Sequence, residues 1–76
     1  MNKDEIRENV SVLRKYLGAI SGGPMMHVLP EDIEILKKVY AEIAKSTGMN
    51  GRLNTSCSDC IKYAIVNCID YCNREC

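Results

Sequence analysis

Asn54-Thr55-Ser56-Cys57-Ser58-Asp59-Cys60, followed by the apolar run Ile61-Lys62-Tyr63-Ala64-Ile65-Val66, reads as a turn that becomes a helix. The small polar side chains of Asn54, Thr55 and Ser56 compete for backbone hydrogen bonds and so favour a turn and a cap over continued helix. With Ser56 as the cap, Asp59 falls at the third helical position and can bond back to the cap amide. Beyond the cap, Cys57, Ile61, Ala64, Ile65, Cys68 and Cys72 recur at helical spacing with Ile69 adjoining, which predicts a helix over about 56–74. That helix plants two thiols, Cys57 and Cys60, three residues apart on its first turn.

Working back from this stretch, residues 47–55 form a loop with Asn50-Gly51 as its turn. Before it, Pro30-Glu31-Asp32 starts a second helix, because proline suits the first turn and acids there complement the dipole. Its stripe is Ile33, Leu36, Tyr40 and Ile43, with Val39 and Ala44 beside it. Lys45 in the last turn and Gly48 beyond it predict an end near residue 46. A first helix is expected over 3–20, capped by Asn2 with Glu5 three residues on. Ile6, Val10, Leu13, Leu17 and Ile20 form its apolar stripe, and Glu8, Arg14 and Lys15 are left for water. Ser21-Gly22-Gly23-Pro24 stops it. The Gly-Gly pair has neither the preceding strand nor the lysine of a phosphate-binding loop, so residues 21–29 read as a linker. Met25, Met26, Val28 and Leu29 are apolar enough to fold over the bundle or to meet another chain.

The expectation is one all-α domain over 1–76: a three-helix bundle, 3–20, 30–46 and 56–74, in up-down-up order. Heptad stripes of this kind can also assemble into an oligomer. A 76-residue chain buries only about 60% of its unfolded surface, so its core is thin, and here it lacks Trp and Phe. Ten acidic and ten basic residues balance, which gives no pull toward nucleic acid or an anionic membrane. No apolar run approaches the roughly 18 residues of a membrane span, and the charged start of the chain is not a secretory signal. All five cysteines fall in the last 20 residues, unlike a secreted scaffold whose bridges tie distant segments, so a reducing cytoplasm is expected. Tyr40 lies on a core stripe. Tyr16, Tyr63 and Tyr71 flank stripes and are candidates, with Met25 and Met26, for an interface.

The Cys57-Ser58-Asp59-Cys60 pair sits where the helix dipole and free amides favour a thiolate, although Asp59 opposes it. A thioredoxin-like reading also needs a βαβ context that is absent, so a buried or locally bridged pair is expected. A structural zinc wants four ligands and this pair supplies two. Cys76 lies some 28 Å along the same helix, so only a partner chain could complete the shell. At the other end, up-down-up order would bring His27, Met25 and Met26 beside Cys72 and Cys76, a soft set suited to copper(I) or zinc. The plainer reading is a solvent-facing histidine, with Cys68 and Cys72 as small core hydrophobes. A single histidine without a nucleophile or carboxylate at a working spacing gives hydrolytic and transfer chemistry almost no support, so no enzyme is expected and no cofactor is called for.

Tyr40, Thr47-Gly48, Asn54 and Cys57-Ser58-Asp59-Cys60, then Ile61 and Ala64-Ile65, resemble a pattern in small bacteriophage proteins. There a helix ends in Thr-Gly, a short loop follows, and Asn-x-x-Cys-x-x-Cys opens a final helix. The likeness covers about half of the chain and leaves out the first helix and Cys68, Cys72 and Cys76. It implies an accessory protein working in the bacterial cytoplasm, or a small virion part, and transfers no catalytic residue. The sequence thus points to a homo-oligomeric binding protein that blocks a host protein or sequesters a small molecule between subunits. The alternative is a thiol or metal protein using Cys57 and Cys60, or His27 with Cys72 and Cys76.

Overall fold

A computed structural model describes residues 2–18, 28–49 and 51–76, which form three α-helices and, among the described residues, no strand. Helix α1 spans Lys3–Leu13, α2 spans Pro30–Thr47 and α3 spans Ser58–Glu75. Each begins and ends for local reasons. The Asn2 side chain accepts from the Glu5 amide at 2.8 Å, satisfying one of the free amides of the first turn of α1. After Leu13 the helix tightens into a 3-10 turn, Arg14–Tyr16, with Leu17 and Gly18 still helical. The residues expected to finish it, up to Ile20, lie outside the described residues. Pro30 opens α2 and Gly48 closes it in the left-handed conformation at φ 75°, a backbone that a side chain resists.

The core joins Ile6, Val10 and Leu13 of α1 and the following Tyr16 to Leu36, Val39 and Ile43 of α2 and to Ile61, Ile65 and Cys68 of α3. Val10, Leu13, Leu36, Val39, Ile65 and Cys68 are wholly enclosed. On α2 the buried positions are Asp32, Leu36, Val39, Ile43 and Ala44. Leu36, Val39, Ile43 and Ala44 bear out the expected stripe and its neighbours, and the face turns only slightly, toward Asp32. Ile33 and Tyr40 are only half-buried, and the first position is held by a carboxylate.

The helix ends also meet differently from an up-down-up order. Ile43, Thr47 and Met49 line a cleft of about 170 Å³ together with Asn67, Asp70, Tyr71 and Arg74. The end of α2 thus lies against the C-terminal half of α3, whereas simple alternation would place it against the start. The connecting loop makes room for this by turning back along α2. A Cβ on Gly51 would stand 3.4 Å from the Ala41 Cα and 3.5 Å from the Ala44 Cβ. The molecule measures 32 × 21 × 20 Å, and all three helices contact one another.

Candidate functional site

The opening of α3 differs from its expected form by one residue. Cys57, not Ser56, is the cap: its backbone is extended, at φ −107° and ψ 110°, and its sulfur accepts from the Cys60 amide at 3.2 Å. Ser56 belongs to the preceding turn, where its amide donates to the Asn54 Oδ1 at 3.0 Å. An asparagine side chain that takes the amide two residues on mimics a backbone turn and so fixes where the helix can begin. Asp59 then falls in the first helical turn, exposed. Cys57 and Cys60 are joined as a disulfide across one turn, with their Cα atoms 5.2 Å apart. Cys57 is half-buried at the edge of the bundle, not on the core stripe.

The remaining thiols are free and lie along one face of α3. Cys68 and Cys72 are buried, and Cys76 is half-exposed. Burial pushes the Cys68 thiol up to about 12, so it stays protonated and inert. Cys76 is also raised, first by burial and then by its hydrogen bond to Cys72, while Arg7 and Lys3 act in the opposite sense. Arg14, just beyond α1, donates to the Asn73 Oδ1 at 2.8 Å, which ties the last turn of α3 to the end of α1. The expected grouping of His27 with Cys72 and Cys76 turns on the first loop. Met25, Met26 and His27 lie outside the described residues. Among the described residues, no three His, Cys, Asp or Glu side chains gather so as to hold a metal ion.

Tyr16, expected at an interface, is instead 7% exposed and part of the core. Its hydroxyl donates to Asp32 Oδ2 and accepts from the Leu29 amide at 3.2 Å. Lys15, expected to face water, reaches the same Asp32 oxygen at 2.8 Å and lies 5.3 Å from the Tyr16 ring centre. Leu29 is the cap residue of α2 and has no side chain able to cap. The Tyr16 hydroxyl takes the amide of Leu29 itself, the donor that an acid at the third helical position ordinarily accepts from. Lys15 and Tyr16 together hold the Asp32 carboxyl below its usual range. Burial, then Asp32, raises Tyr16. Each group in this cluster has its partner inside the fold, which marks it as a clasp between α1 and α2. Sequence reasoning missed it because Asp32 looks like an ordinary first-turn acid.

Leu29 and Met49 are exposed singly, and the far face of α3 carries two exposed apolar side chains together. Tyr63 is 70% exposed and Val66 38% exposed. With Asp59 and Lys62 they line a hollow of about 290 Å³. Tyr71, the other interface candidate, is half-buried in the cleft between α2 and α3. None of the three helices is long and apolar enough to cross a membrane.

Fold and surface together define a small all-α protein whose polar core groups are internally paired. No protein-family model matches the chain, and comparison with curated proteins and with solved structures finds no match.

Proposed function

We propose that this protein acts by binding rather than by catalysis, as a small phage-type accessory protein of the bacterial cytoplasm. It associates with itself and blocks a host protein or sequesters a small molecule between subunits. The observation that carries this reading is the outward face of α3. A tyrosine and a valine are left in water there beside a hollow, on a helix whose opposite face supplies much of the core. Exposed tyrosine at a rimmed apolar patch is characteristic of contact surfaces, because the ring buries much area at low entropic cost.

A photo-crosslinking amino acid at position 63, compared with one at exposed Lys38 as control, tests this in producing bacteria, with native mass spectrometry of the purified protein alongside. A discrete adduct from position 63 alone, or a ligand mass that vanishes on denaturation, is the expected result. Equal, diffuse labelling from both positions together with a bare, ligand-free protein overturns the reading.

The disulfide between Cys57 and Cys60 favours a second reading, a thiol protein. Equilibration with glutathione buffers followed by mass analysis decides it. A midpoint near the cytoplasmic poise supports exchange chemistry. A bond that persists throughout the cytoplasmic range marks a local staple.

A further inference from the structure

The exposed face of α3 carries a charge order that fits a second copy of itself. Asp59, Lys62, Val66, Asp70 and Arg74 fall on one side of the helix at 100° per residue, with Tyr63 beside them. Their signs along the chain run minus, plus, minus, plus. Asp59 and Arg74 are centred between residues 66 and 67, and Lys62 and Asp70 are centred on residue 66. Turning a second α3 through a twofold axis at Val66 therefore sets Asp59 opposite the partner's Arg74 and Lys62 opposite the partner's Asp70. The exposed Tyr63 and Val66 of both copies close the centre. A parallel pairing would instead set every charge against its own kind. Asp70 and Arg74 already pair within the helix at 3.3 Å, both side chains nearly two-thirds exposed, so the partner's charges extend a network at the rim.

Resting on the reading of this face as a contact surface, we infer that the protein forms an antiparallel, isologous homodimer through the outer face of α3. The twofold passes at Val66. A single helix-to-helix seam lies at or below the roughly 1,200 Å² that begins the range of stable specific interfaces, so the dimer dissociates readily on dilution. Its charges set register and orientation more than strength.

Sedimentation equilibrium of the full chain, from about 10 μM to about 1 mM at low salt, is the test. Wild type should pass from monomer to dimer across that range. Lys62→Glu and Asp70→Lys should each weaken self-association about tenfold or more, because each places two like-charged pairs across the twofold. Mixing the two variants should restore dimer, since in the mixed pair both contacts are again opposite in sign. Far-ultraviolet circular dichroism checks that each variant, at half-buried Lys62 and at exposed Asp70, remains helical. A monomeric wild type at the highest concentration, or a mixture no more dimeric than its components, overturns the inference. A crosslink from position 63 to a host protein in a chain that stays monomeric would refute the pairing and leave the binding reading standing.

Discussion

The Tyr16 hydroxyl donates to the Asp32 carboxylate, and through it the end of one helix is fastened to the start of the next. Asp32 occupies the third position of α2, where a capping acid normally bonds back to the cap amide. Here the tyrosine stands between them, accepting from the Leu29 amide while donating to the acid.

Removing that hydroxyl with Tyr16→Phe leaves the ring in the core but strips two hydrogen bonds from groups that stay partly desolvated. The expected loss is about 1 kcal/mol of stability, read as a lower urea midpoint at unchanged slope. A midpoint equal to wild type would show that water replaces the hydroxyl without loss.

The same cluster sets a pH dependence. Asp32 is held below its usual value of about 3.9, chiefly by Lys15 and then by Tyr16. A carboxyl depressed by folding adds stability above its unfolded pKa, and that stability is lost as pH falls through the folded value. Tyr16 is raised above about 10, so its share is present below that pH and is lost as pH rises through the folded value. The melting temperature should therefore fall on the acid side below about pH 4. Asp32→Asn should flatten that fall, and an equally steep acid limb in the variant would assign it to other carboxylates.

At the start of α3, the sulfur of Cys57 is both half of the disulfide and the helix cap. Cys57→Ser and Cys57→Ala both break the bridge, yet serine caps and alanine does not. The serine variant should be more stable by about 1 kcal/mol. Reductant should leave the far-ultraviolet helix signal of the wild type nearly unchanged, because a packed core, not the bridge, holds the helices together. A large loss of that signal would make the bridge essential to the fold.

The free thiols should separate by alkylation rate. Cys76, half-exposed, should label first, and Cys72 and Cys68 only as the protein opens, Cys68 being both enclosed and raised to about 12. Peptide mapping after timed iodoacetamide treatment reads the order. Early labelling of Cys68 in the native protein would contradict its place in the core.

Much of this was legible from residues alone, and what was legible was local. Asn2 at one cap, Pro30 at another and Gly48 at a helix end act through amides and carbonyls within four residues. The apolar repeats named the buried faces of α1 through Leu13 and of α3 from Ile61. Leu17, expected on the first stripe, is exposed, because the 3-10 turn Arg14–Tyr16 shifts the register and sends Tyr16 inward instead. On α2 the expected Leu36, Val39, Ile43 and Ala44 are buried, but in the first turn hydropathy favours Ile33 where Asp32 is the buried residue. Only Lys15 and Tyr16, brought in from α1, make a buried carboxylate tolerable there. The cap of α3 shifted by one because Ser56 is taken by an Asn54 turn and a sulfur stood ready at the next residue.

The sequence by itself determined that three helices form among the described residues, where the second and third stop and which thiols share a turn, since these depend on contacts a few residues apart. Tertiary structure alone decided that the end of α2 meets the C-terminal half of α3, that Tyr16 faces inward and that Tyr63 is left in water. Those outcomes depend on which faces pack across the fold. Helical period constrains each face separately and leaves their mutual placement to side-chain volume and to the pairing of buried polar groups.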